Sequence, residues 1–121
     1  GHILIEDYAI IGGLSAVHQF CRIGAHAILS GITGVSQDIP PYMMAAGSRA
    51  KLYGLNSVGL KRHQFSEQEI KALKKAYRII FRSGLTLEKA IKAVEEDDIF
   101  QAPKVQHLIQ FIRHSKRGIC R

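Results

Sequence analysis

Aliphatic residues recur at every sixth position through the first third of the chain: Ile5, Ile11, Val17, Ile23, Leu29 and Val35. A second column, Ala9, Ser15, Cys21, Ala27 and Thr33, runs two residues ahead and holds only small side chains. Gly12 and Gly24 follow their aliphatic residues, and Glu6, His18, Ser30 and Ser36 take that place in the other hexads. An α-helix turns about 100° per residue, so a period of six scatters the apolar groups around its surface. A three-sided coil uses the pattern directly. Each hexad becomes a short strand and a corner, three hexads close one turn, and successive turns stack at the strand spacing of about 4.8 Å. Six hexads predict about two coils of parallel β-helix with the aliphatic column inside. At Asp38-Ile39-Pro40-Pro41, Ile39 stands where a small residue belongs and two prolines cannot donate to a ladder, so the coils are expected to end there.

The expected division is therefore β-helix over 1–41, an extended connector over 42–56 and α-helices over 57–121. A short helix is predicted over 57–64. Ser66 and Glu69 then form a capping box with Phe65 and Ile70 as hydrophobic staple. Ile70, Leu73, Tyr77, Ile80 and Phe81 give that second helix one apolar face, and Gly84 stops it. A third helix opens at Thr86, with Leu87, Ala90, Ile91 and Val94 inward, and a fourth opens near Pro103 with Val105, Leu108, Ile109 and Ile112.

Composition adds a compartment and a partner charge. Cys21 and Cys120 lack metal-ligand spacing and read as free thiols of a reducing cytoplasm. No apolar run is long enough to cross a bilayer, and the first residues do not read as a signal peptide. The chain opens at Gly1-His2-Ile3, within the repeat and without methionine, and is expected to be a piece of a longer protein. A net charge of +7 points to an anionic partner without choosing among phosphate, membrane surface, nucleic acid and acidic protein.

The coil converts spacing into neighbourhood. Residues eighteen apart become vertical neighbours, so His2 lies beneath Phe20, with His18 and Gln19 beside it on an outward face. Gly13 lies beneath Gly31, leaving a column without side chains into which something long and thin fits. Lys61, Arg62 and His63 follow Asn56, and Arg62 is placed to hold a phosphate if this segment folds back. Lys71, Lys74, Lys75, Arg78 and Arg82 line the second helix, either as a solvated face or as a surface for an acidic protein. His26, His63, His107 and His114 show no clustering and are taken as surface or packing residues.

The strings Tyr8-Ala9-Ile10-Ile11-Gly12-Gly13, Ala16-Val17-His18-Gln19-Phe20-Cys21 and Ile23-Gly24-Ala25-His26 resemble the bacterial UDP-N-acetylglucosamine O-acyltransferases of the lipid A pathway. So do Gln37-Asp38-Ile39-Pro40-Pro41-Tyr42, Gly59-Leu60-Lys61-Arg62 and the segment from Tyr77 to Gly84. The resemblance implies a left-handed coil, a cytoplasmic homotrimer with clefts between subunits, and no metal or bound cofactor. It implies transfer of a 3-hydroxyacyl group from acyl carrier protein to the glucosamine 3-hydroxyl of UDP-N-acetylglucosamine. Position by position, it makes the Gly1 backbone the oxyanion donor and puts His2, His18 and Gln19 around the substrate. Asn56 and Arg62 fall on the nucleotide, and Gly31 on the ruler of acyl-chain length. The general-base histidine belongs one coil before Gly1, so this chain alone is expected to be nearly inactive. Val58 and His63 depart from the family's usual glutamate and arginine. A related hexapeptide N-acyltransferase (UDP-3-O-acylglucosamine N-acyltransferase) and a non-catalytic module for acidic protein or nucleic acid are the competing readings. Against nucleic acid, the helices carry no recognition motif.

Overall fold

The computed structural model describes residues 1–121. Six two-residue strands, β1 (Leu4–Ile5), β2 (Ile10–Ile11), β3 (Ala16–Val17), β4 (Arg22–Ile23), β5 (Ile28–Leu29) and β6 (Gly34–Val35), follow the hexads. They pair in parallel as β1 with β4, β2 with β5 and β3 with β6, and Ile5 lies against Ile23, Ile11 against Leu29 and Val17 against Val35. The offset is eighteen residues throughout, so the three pairs are the three faces of one parallel β-helix. Backbone N–H groups of the lower coil donate to carbonyls of the upper one, as Glu6 does to Ile23, Ile10 to Ala27 and Gly12 to Leu29, each at 2.9 Å.

Each face is only two residues wide, which forces sharp corners. His2, Tyr8, Leu14, Phe20, His26 and Ile32 all take the left-handed backbone conformation, with φ between 56° and 68°. Such a φ costs a non-glycine residue about 1–2 kcal/mol, so the stack has to enforce it. In the upper coil the Phe20 N–H donates to the His2 carbonyl, His26 to Asp7 and Ile32 to Gly13. Inside, the aliphatic column is fully enclosed only where it has a layer on both sides: Ile23 and Leu29 are buried, whereas Ile5 and Ile11 are 48% and 37% exposed.

The coil does not stop at the prolines. Ile39 bridges Ile23, β7 (Met43–Ala46) pairs in parallel with β5, and Ser48 bridges Gly34, which builds a partial third layer. Its offsets are sixteen residues at Ile39 and Met44 and fourteen at Ser48, so this turn is shorter and hides from a six-residue ruler. Ile39 is therefore not a breaker but a buried member of the aliphatic column. The expected extended connector is likewise corrected, because β8 (Lys51–Leu55) turns back antiparallel on β7 and completes the sheet β2-β5-β7-β8. Above this layer the tail returns, with Asp38 donating to the Gly118 carbonyl and accepting from the Cys120 N–H.

The remaining elements are α1 (Ser57–Arg62), α2 (Glu67–Phe81), α3 (Leu87–Glu96), a 3-10 turn (Asp98–Gln101) and α4 (Pro103–Arg113). Ser66 and Glu69 make the reciprocal capping box, Thr86 caps α3, and Pro103 opens α4. The inward face of α2 is Ile70, Leu73, Ala76 and Ile80, while Tyr77 and Phe81 sit half-buried beside it. These helices and the upper layers share one contiguous apolar core that runs from Cys21 and Ile23 to Phe111 and Cys120. Arg22 stitches the two parts, its guanidinium 4.0 Å above the Phe111 ring and donating to the Phe111 carbonyl. Buried Asp38 accepts from the Arg22 N–H at 2.8 Å and from the Ser115 hydroxyl at 2.6 Å.

Stacking makes a specific demand on glycine. A Cβ on Gly24 would lie 2.3 Å from the Pro41 nitrogen, whereas one on Gly13 meets nothing within 4 Å. Gly24→Ala is expected to destabilise the fold by about 2–3 kcal/mol, and Gly13→Ala by less than about 0.5 kcal/mol, measured by urea unfolding.

Candidate active site on the corners of the coil

The residues singled out by sequence occupy three different corners. His2, His18, Gln19 and Phe20 share the corner between the β3/β6 face and the β1/β4 face. His2 and Phe20 stack with ring centroids 5.4 Å apart, and His18 Nδ1 lies 3.1 Å from the Gln19 carbonyl oxygen. All four are exposed, as is Gly1, which precedes β1. This corner offers imidazoles, an amide and backbone polar groups to solvent on a frame fixed by the ladder.

Gly13 and Gly31 meet at the corner between the β2/β5 and β3/β6 faces, where a Cβ on Gly31 would sit 3.3 Å from the Gly13 carbonyl oxygen. Leu14 and Ile32 flank them and are 89% and 69% exposed. An apolar column beside a side-chain-free one gives this corner the character of a hydrocarbon track.

The third corner, between the β1/β4 and β2/β5 faces, holds what sequence reasoning missed. Tyr8, His26 and Tyr42 rise in a stacked ladder, Tyr8 to His26 at 5.0 Å and His26 to Tyr42 at 6.1 Å. His63, at the end of α1, packs 4.5 Å from Tyr8 and 4.9 Å from His26, and Phe65 meets both His26 and Tyr42. The expectation that His26, His63 and His107 are unclustered is thus corrected, because α1 and α4 dock on this corner. Glu6 Oε1 accepts from the Ala25 N–H at 2.9 Å and pairs with His107 Nε2 at 3.1 Å. The only sequence signal was the period itself, which puts Tyr8 eighteen residues below His26.

Asn56 is buried, and its side chain works inside the fold. Its Oδ1 caps α1 by accepting from the Gly59 N–H at 3.2 Å, and its Nδ2 donates to the His26 carbonyl at 2.9 Å. It therefore fixes where α1 presents Arg62, which is exposed, rather than pointing to solvent itself. Val58 is 63% exposed. On α2, Lys75 pairs with Asp97 at 2.8 Å, and Arg82 donates to the Leu52 carbonyl, so two cations of that stripe serve the fold. Burial pushes the Cys120 thiol up to about 11 and also raises Cys21, which leaves both as unreactive core groups.

A three-sided parallel coil built on six-residue units defines a hexapeptide-repeat protein. Residues 38–120 match the family model described as UDP-N-acetylglucosamine O-acyltransferase, domain 2. The acyl-[acyl-carrier-protein]–UDP-N-acetylglucosamine O-acyltransferase of Myxococcus xanthus is 52% identical over 119 residues, 98% of this chain and 46% of that protein. The corresponding protein of Janthinobacterium is 50% identical over all of this chain and 47% of its own length. Among solved structures, UDP-N-acetylglucosamine acyltransferase of Arabidopsis superimposes with a TM-score of 0.94 at 45% identity, covering 100% of this chain and 45% of that one. The UDP-N-acetylglucosamine O-acyltransferase of Moraxella catarrhalis gives 0.94 at 44%, covering 100% and 47%. The chain belongs to the UDP-N-acetylglucosamine O-acyltransferase family, and it spans about half the length of these relatives.

Two measurements check the third corner. Asn56→Ala is expected to cost about 2 kcal/mol, and Asn56→Asp, which keeps the cap, about 1 kcal/mol, by chemical unfolding. Burial first, then the charges of His63 and Lys104, hold the His26 imidazole below its ordinary 6.5, with Asp7 opposing. Such a group takes its proton first in the unfolded chain, so its contribution is intact above about pH 6.5 and is withdrawn as pH falls below it. NMR titration should find His26 charging below the ordinary histidine value, and His26→Phe should lose less stability than the parent between about pH 7 and pH 5.

Proposed function

We propose that this chain is the part of a UDP-N-acetylglucosamine O-acyltransferase that binds substrate and sets acyl-chain length, acting in the first step of lipid A synthesis. The observation that carries the reading is the whole-chain superposition at TM-score 0.94 on acyltransferases 44–45% identical in sequence. The proposed coil is left-handed, the division into β-helix and helical domain is functional, and the compartment is the cytoplasm. No helix is long and apolar enough to cross a membrane.

The three-corner arrangement supports a homotrimer. His18, Gly31 and Arg62 lie on separate corners of one rigid prism, so within a single chain they do not converge. Three parallel prisms around a threefold axis bring one copy's corner against a different corner of the next, and the substrate cleft then lies between subunits. There His2, His18 and Gln19 hold the glucosamine, and Arg62 meets the diphosphate with its position set by Asn56. Gly31 leaves the track open for a long acyl chain.

In the reaction, the glucosamine 3-oxygen attacks the thioester carbonyl carbon while a histidine one coil before Gly1 takes the hydroxyl proton. The Gly1 backbone N–H stabilises the oxyanion of the tetrahedral intermediate. Collapse breaks the C–S bond, the proton passes to the leaving thiolate of acyl carrier protein, and the ester remains on the sugar. No metal or cofactor enters these steps.

The test is acyl transfer by the protein that carries this chain, with acyl donors of graded length. Gly31→Met should lower kcat/KM for long donors by about tenfold or more for each methylene that no longer fits, leaving short donors unaffected. Arg62→Ala should raise KM for the nucleotide sugar at least about tenfold, as loss of a charge-assisted phosphate contact does. Unchanged length preference in the first variant, or an amide product, would overturn the assignment.

A further inference from the structure

A pocket of about 350 Å³ lies between the third corner of the coil and the first turn of α4. Asp7, Tyr8, His26 and Tyr42 line it from the coil, and Pro103, Lys104 and His107 from the helix. His26 and Tyr42 are only 8% and 3% exposed, yet the fold bonds both through the main chain alone. The Asp7 carbonyl accepts from the His26 N–H and the Ala25 carbonyl from the Tyr42 N–H, while the carbonyls of His26 and Tyr42 accept from the Asn56 side chain and N–H. The imidazole and the phenol hydroxyl make no hydrogen bond; because every fully enclosed side-chain nitrogen or oxygen in the chain has a partner, these polar tips are not enclosed and open on the pocket that both residues line. A buried polar group without a partner is unfavourable, and a ligand atom placed here removes that deficit.

The charge of the pocket selects the ligand. Lys104 takes part in none of the three ion pairs of the fold, and its Nζ rests 4.8 Å from the Phe65 ring centroid. Glu6, just outside, is engaged by His107 and the Ala25 N–H, and Asp7 stands at the exposed rim. α4 opens on Pro103 with no side-chain cap from Ala102, so the positive end of its dipole lies on the same wall as Lys104. Burial first, then Glu6 and Glu69, push the Tyr42 hydroxyl up, which keeps it a donor. The rings of His26 and Tyr42 already pack on each other, on Tyr8 and on Phe65, which leaves edges and polar tips for a compact charged group rather than a platform for a base. No three histidine, cysteine or acidic groups are arranged to hold a metal ion.

We infer that this pocket binds a small oxyanion, the phosphate or carboxylate group of a metabolite, with Lys104 neutralising its charge and Tyr42 and His26 donating to it. Arg62 does not line the pocket, so this oxyanion is not the diphosphate assigned to that residue. An occupant ties the first turn of α4 to the coil, and His63, packed on Tyr8 and His26, carries the contact to the helix that bears Arg62. Binding to the folded state alone then stabilises that junction.

The experiment titrates the full chain with inorganic phosphate and, separately, with acetate, and follows the histidine ring resonances by NMR. The His26 signals should shift saturably, and saturating probe should raise the His26 titration midpoint by about one unit, as an opposite charge in contact does. Tyr42→Phe removes a hydroxyl that the fold does not use; it should weaken binding about tenfold and still unfold in urea at the parent's midpoint. Lys104→Gln should also weaken binding about tenfold, and it carries the test if Tyr42→Phe proves destabilised. Arg62→Ala should change binding less than about twofold. Saturation by phosphate alone or by acetate alone supports the site and tells which metabolite group it takes. No saturable shift with either probe, binding that survives both pocket variants, or loss through Arg62→Ala in their place overturns the inference.

Discussion

Everything in this molecule depends on the backbone ladder between residues one coil apart. Two-residue faces leave each strand too short to be stable by itself, and the αL corners are individually unfavourable. Only the stacked N–H to carbonyl bonds, made between strands in an eighteen-residue register, offset both costs at once. The return is rigidity, because a corner side chain such as His18 or Tyr8 is held by a frame with almost no local freedom.

That rigidity explains the division of labour. A prism with three corners keeps polar, apolar and aromatic chemistry apart, and each corner can be set by one or two residues without disturbing the others. The helical part then reads this frame: Asn56, through one amide, both caps α1 and ties it to the His26 carbonyl, so the position of Arg62 is inherited from the coil. Arg22 and Asp38 do the same for α4 and the tail. No buried side-chain polar atom is left without a hydrogen-bond partner, as a junction made of such groups requires.

The regular coils were legible because a strict period of six admits few geometries. The third layer was not, since its turn is two and then four residues short and Pro40-Pro41 reads as a stop. The helix starts at Ser66, Thr86 and Pro103 were legible from local capping chemistry. The clustering of His26, His63, Phe65 and His107 was not, because it arises only when helices far along the chain settle on one corner. His2, His18 and Gln19 were proposed by combining the period with a resemblance, but their separation from Gly31 and Arg62 is a property of the prism's cross-section.

The most direct test of the stacked coil is a set of through-hydrogen-bond NMR couplings in the first three dozen residues. The account predicts couplings from the Glu6 nitrogen to the Ile23 carbonyl, Ile10 to Ala27, Gly12 to Leu29 and Ala16 to Thr33. Couplings that instead join neighbouring hexads, as antiparallel hairpins would give, contradict it.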